Sequence, residues 1–187
     1  MRYPPSETAA KHEKILAEAA SLFRERGFGG VGVAEIMRAA GLTHGAFYAH
    51  FKSKEALAAE AVTCAMAEAL ERMYDVMDGA QDPKQAFLDD YLSAESRDDP
   101  GDGCTIAALG SEVARDPALR APFTQEIKRT LAGMTDRMTW KNRQPPRRNA
   151  MLLLSAIAGA MVLARAVDDQ DLSDEFLASV KESLAAL

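Results

Sequence analysis

Cysteine, histidine, strand-forming clusters, long apolar runs and net positive charge are all scarce in this sequence, and each scarcity removes a class of function. Only Cys64 and Cys104 are present, far apart and without paired spacing, and no apolar run follows basic residues at the N-terminus. That pattern argues against a disulfide-stapled secreted scaffold and implies a reducing, cytoplasmic setting. The histidines are His12, His44 and His50, and the last two fall on different faces of a helix, so one helix cannot chelate a metal with them. No serine, cysteine or carboxylate has an evident base partner, so no enzyme, metal centre or cofactor is expected. The longest apolar stretch, Ala150 to Ala164, is broken by Ser155 and Gly159 and is shorter than the roughly 20 residues a bilayer demands. It reads as a buried helix, with no membrane partner. Clusters of Val, Ile or Thr that would sustain alternating strands are missing, so no sheet is expected.

What is present is alanine, apolar residues at 48%, and helical spacing. A chain of 187 residues allows one small module and one larger one. The formal charge of −6 argues against nonspecific coating of nucleic acid, yet acidic and basic residues nearly balance over residues 1–60, so the acidity belongs to the remainder. A first helix is announced by Pro4 and Pro5, with Ser6 or Thr8 as cap, and stops at Gly27. Val33 to Ala40 and Thr43 to about His50 form two short helices joined at Gly41. A long helix capped by Ser53 runs to Gly79. Later helices are expected over about Pro83–Arg97, Cys104–Arg115, Pro117–Trp140, Asn149–Val167 and Ser173–Leu187.

Two short helices joined at a glycine, with Ile36, Ala40, Leu42 and Phe47 spaced to pack together, are what a helix-turn-helix requires. Around the second helix, Thr43, His44, Tyr48, His50, Lys52, Ser53 and Lys54 gather hydroxyls and basic groups on one small surface, the chemistry that meets phosphate oxygens. Gly27, Gly29 and Gly32 fit the spacing of a dinucleotide-binding loop, but a helix precedes them where a strand is needed. Asp98, Asp99, Asp102 and Gly103 suggest a calcium loop, but Pro100 and Leu109 occupy positions that need ligands, so a solvated acidic turn is expected.

The run from Val33 through Leu57, with the preceding Phe23-Arg24-Glu25-Arg26-Gly27-Phe28, resembles the DNA-binding signature of the TetR family of transcriptional regulators over roughly the first third of the chain. The resemblance implies an all-α protein. Its helix-turn-helix DNA-binding domain would span residues 8–54 and continue into a connecting helix, 53–78, and a ligand-binding and dimerisation domain would span 79–187. It implies phosphate contacts at the positions of Thr43, Tyr48 and Lys54, and approach to base edges at His44, Gly45 and Ala46. Val33, His50 and Lys52 complete the expected DNA-facing set. No hydroxyl caps the second helix at Val31, Gly32 or Val33, and Met37, His44, Ala46 and His50 depart from frequent family choices, so the operator cannot be copied from a relative.

The implied function is a repressor that leaves a palindromic double-stranded operator when a small-molecule inducer binds, working as a homodimer through its last two helices. An activator of the same fold is the alternative, and a helical carrier or enzyme a distant one. Met66, Met73, Phe87, Tyr91, Cys104, Phe123, Met134 and Met138 are candidates to line the inducer pocket, since thioethers mould around varied apolar ligands. Cys104 opens a helix and is a candidate reactive thiol. Cys64 shares a face with Leu57 and Ala61 and is expected to be buried and inert.

Overall fold

The computed structural model describes residues 5–187, with the side chains of Pro5 and Ser6 excluded. Pro4 and the Ser6 side chain, two of the expected start signals, lie outside the described residues. Thr8 sits inside the first helix and does not cap it. The described residues form helices α1 (Pro5–Arg26), α2 (Val33–Ala39), a 3-10 helix (His44–Ala49), α3 (Lys54–Met77), α4 (Pro83–Tyr91), α5 (Ala94–Asp98), α6 (Thr105–Val113), α7 (Pro117–Arg137), α8 (Pro146–Ala166) and α9 (Gln170–Ala185), and no strand.

Local chemistry sets most of these boundaries. α1 ends because Gly27 turns left-handed at φ 73°, and the α2 turn closes because Gly41 does the same at φ 71°, a conformation that costs glycine little. Ser53 caps α3, its hydroxyl accepting from the Ala56 amide at 3.2 Å. Asp82, Asp116 and Asp169 cap α4, α7 and α9 in the same manner. α2 has no side-chain cap, consistent with Gly32 preceding it.

Several boundaries differ from the sequence reading. The expected helix Pro83–Arg97 is two helices, because the Ser93 hydroxyl accepts from the Ser96 amide and starts a new turn. α7 stops at Arg137, short of Trp140, while α8 begins at Pro146 and α9 at Gln170, each earlier than expected. Proline suits the first turn of α8, where its missing N–H is no loss. The segment expected as the second short α-helix is a tighter 3-10 turn, in keeping with the weak helix preference of Gly45 and its aromatic neighbours.

Two apolar cores hold the fold. The first gathers Ile15, Ala19 and Phe23 of α1, Ile36 and Met37 of α2, Phe47, Phe51, and Leu57, Ala61, Val62, Ala65 and Met66 of α3, and it also takes Leu109, Val113 and Leu119 from α6 and α7. The second gathers Met73 and Met77 of α3, Phe87 and Leu88 of α4, Leu131 and Met134 of α7, and the inner faces of α8 and α9. Phe23, Ile36 and Leu57 are fully buried, each worth about 1.5–3 kcal/mol of apolar transfer. α3 belongs to both cores. It spans roughly 36 Å at 1.5 Å per residue and connects them as a single rod.

α8 is long and apolar enough to cross a membrane by length and composition, more so than the sequence reading allowed, but 44% of its most apolar window is buried inside the protein. Met151, Leu152, Val162 and Leu163 of α8 and Leu172 of α9 nevertheless face outward, each 40–53% exposed. That surplus of apolar surface is gathered on the final helix pair.

Candidate functional site

The N-terminal head, made of α1, α2, the 3-10 helix and the start of α3, is assembled by burying one side of the 3-10 helix and leaving the other free. Phe47 is 1% exposed and stacks against Phe51 at 5.8 Å, while Tyr48 beside it is 69% exposed. Thr43, His44, Gly45 and Lys52 are exposed on the same short segment, and Ala46, His50 and Val33 are half-buried. Most of the expected DNA-facing residues therefore share one small surface, and the Phe47 anchor fixes its orientation.

His50 is held by aromatic packing, with its ring 5.9 Å from that of His12, which stacks on Phe51 at 4.5 Å and pairs with Glu60 at 3.0 Å. Burial, reinforced by the neighbouring charges of His12 and Lys11, holds the His50 imidazole below its ordinary pKa, so it is neutral at pH 7. Lys54 was expected to face phosphate. Its ammonium instead donates to the Phe28 carbonyl at 2.5 Å, which leaves two of its three protons for other acceptors.

Behind the head, a cavity of about 320 Å³ opens between α3, α4, α6, α7 and α8. Six of the eight expected lining residues border it: Met66, Met73, Phe87, Tyr91, Cys104 and Met134. Phe123 does not; it packs against the first core from the N-terminal half of α7. Met138 is buried in the second core just past the end of α7, away from the cavity wall. Sequence reading missed Thr105, Ile106, Leu154, Ile157 and Met161, all of which border the cavity. The apolar ones carried only the helical periodicity that any core residue shows, and Thr105 carried no signal at all.

Cys104 opens a helix as expected, whereas the burial expected of Cys64 is corrected. Cys104 caps α6, its sulfur accepting from the Ala107 amide at 3.4 Å. Cys64 is half-buried, not buried, and donates to Glu68 at 3.3 Å; burial and that carboxylate push its thiol up to about 11, which keeps it protonated and unreactive.

Two polar ties join cavity and head, and a third closes the cavity rim. The Glu112 carboxylate, near the end of α6, accepts from the Phe28 amide at 2.9 Å. Arg24 of α1 donates from Nε to the Gly101 carbonyl at 2.7 Å, in the loop that leads into α6. On the rim itself, Arg72 of α3 pairs with Asp102 of the same loop at 2.6 Å. α6 thus borders the cavity with its first turn, Thr105 and Ile106, and holds the head with its last.

The chain is similar to known proteins over most of its length. Residues 15–61, from mid-α1 into α3, match the sequence profile described as bacterial regulatory proteins, tetR family. It is 25% identical to the HTH-type transcriptional repressor DhaR of Mycobacterium sp., covering 92% of this chain and 91% of that one. It is 30% identical to an uncharacterized HTH-type transcriptional regulator of Mycobacterium tuberculosis, with 82% of this chain and 83% of the other covered. The crystal structure of a TetR transcriptional regulator from Chloroflexus aurantiacus superposes with a TM-score of 0.78 at 25% identity, over 96% of each chain. The chain therefore belongs to the TetR family of bacterial regulatory proteins and is a DNA-binding transcriptional regulator.

Proposed function

We propose that the protein is a cytoplasmic repressor that holds an inverted-repeat operator as a homodimer and releases it when a small molecule fills the cavity. The observation that carries this reading is the double duty of α3: its Ser53-capped start carries the reading head, and Met66, Leu70 and Met73 further along it border the cavity. A ligand that shifts α3 or α6 therefore shifts the head. Such coupling between two sites amounts to about 1–3 kcal/mol in typical cases.

In this mechanism, Thr43, Tyr48, Lys52 and the free protons of Lys54 bind phosphate, and His44, Gly45 and Ala46 approach base edges. Val33 and His50 lie at the margin of that footprint. Met66, Met73, Phe87, Tyr91, Cys104 and Met134 line the inducer pocket. The dimer seam is the outward apolar face of α8 and α9, which puts two heads on one side of the duplex. The domains follow as residues 8–54 for DNA binding, 53–78 as connector and 79–187 for ligand and dimer contacts. Repression is the direction taken by the relative named DhaR.

The test is transcription in vitro from a promoter recovered by capturing genomic fragments on the purified protein. Added protein should lower transcript yield, and a small-molecule extract of the source cells should restore it. A rise in transcript on adding protein would overturn the repressor reading.

A further inference from the structure

The cavity is mostly apolar, with Met66, Met73, Met134, Met161, Leu154 and Ile157 on its walls. Tyr91 and Thr105 also border it, with their hydroxyl oxygens sealed just behind the wall. Thr105 is only 3% exposed, and both its Oγ1 and the Tyr91 Oη are buried without a hydrogen-bond partner. Tyr91's polar neighbour is the Cys104 sulfur, a weak acceptor near enough to hold the phenol proton but outside good hydrogen-bond geometry. Unpaired hydroxyls inside a protein are rare, because burial removes the water that would satisfy them. Burial also pushes the Tyr91 phenol well above its ordinary pKa, so it stays protonated and able to donate.

The charged groups around the cavity disfavour an anion. Arg72 is the cation that borders it, and that guanidinium is already paired with Asp102. Asp90, Glu95 and Asp99 add further negative charge at exposed positions on the rim. Arg165 is committed to the carbonyls of Arg97 and Ser96. We propose that the cavity takes a neutral molecule with an apolar body and an accepting oxygen, such as a ketone, ester or amide, held by the Tyr91 and Thr105 hydroxyls. This rests on the reading of the cavity as the inducer site and adds the chemistry it selects.

Three probes with one aromatic body separate the terms: 2-acetonaphthone, its hydrocarbon counterpart 2-ethylnaphthalene, and 2-naphthoate. Binding is followed through methionine methyl resonances of the full-length protein, with Met66, Met73, Met134 and Met161 as reporters and Met37 and Met151 as references outside the cavity. Tyr91→Phe and Thr105→Val keep shape and remove one hydroxyl each. Each should weaken the ketone by about 5- to 10-fold, the usual worth of one hydrogen bond, and leave the hydrocarbon unchanged or tighter. Naphthoate should bind more weakly than the ketone. Equal effects of the variants on ketone and hydrocarbon, or tightest binding by naphthoate, would overturn the hydroxyl assignment while leaving the cavity a ligand site. If none of the three shifts the reporter methyls of the wild type, the cavity reading falls together with this one.

Discussion

Glu112 offers a direct handle on the seam between head and cavity. Its carboxylate accepts from the Phe28 amide at 2.9 Å in a partly buried setting, immediately after Gly27 turns the chain out of α1. A hydrogen bond to a charged group contributes about 1.5–3 kcal/mol, and partial solvent access favours the lower end. Glu112→Ala should therefore cost about 1.5–2 kcal/mol. At roughly 2–4 °C per kcal/mol for a chain of this size, the thermal midpoint falls by about 3–8 °C. Glu112→Gln keeps an acceptor without the charge and should lose about half as much. The local reporter is hydrogen exchange at the Phe28 amide, which should quicken in the alanine variant far more than amides elsewhere in α1. An alanine variant that melts within about a degree of the wild type, with Phe28 exchange unchanged, would refute the claim that this bond ties the head to α6.

Further outcomes follow from other sites. Lys84 is 1% exposed, its ammonium has no hydrogen-bond partner, and it lies 5.6 Å from the Trp140 ring centroid. Lys84→Met should stabilise the fold by about 1–2 kcal/mol in urea melts, since an unsatisfied buried charge is removed. Burial, with the repulsion of Lys141, holds the Lys84 pKa below its ordinary value. The unfolded chain therefore binds more protons between the lowered and the ordinary value, so wild-type stability should rise with pH across that window, and the Met variant should lack this component. Leu152→Glu with Leu163→Glu, both on exposed faces of α8, should yield folded monomers by light scattering at micromolar concentration; an intact dimer would place the seam elsewhere. Lys52→Ala should weaken all duplexes similarly and lower the salt slope by about 1, whereas His44→Ala should change base preference in a selection experiment.

The parts of the fold that could be read from sequence are those decided by neighbouring residues. Gly41 and Ser53 announced the turn and the start of α3 because a left-handed turn and a hydroxyl cap are local requirements. The surface around Tyr48 was legible for a related reason: Phe47 and Phe51 mark the buried side and Tyr48 between them faces out, although His50 is half-buried against Phe51. The break between α4 and α5 was missed because Ser93 sits amid residues of good helical spacing, and its capping role appears only in the folded geometry. The ligand site was half legible. Met66 and Met73 border the cavity and Met138 does not, yet all three show the same spacing, since periodicity identifies a buried face but not what lies across from it. Cys64 shows the same limit in reverse, as its position beside Ala61 concealed a path to Glu68.

In the proposed function, two copies of this head read one inverted repeat. That arrangement is tested most directly by sedimentation of the full-length protein with a fluorescent duplex taken from the captured genomic fragments, at several salt concentrations. Two chains, or paired dimers, should bind each duplex, with an affinity that falls steeply as salt rises and a complex that is lost when one half-site is scrambled. A single chain bound per duplex, with equal affinity for the scrambled site, would contradict it.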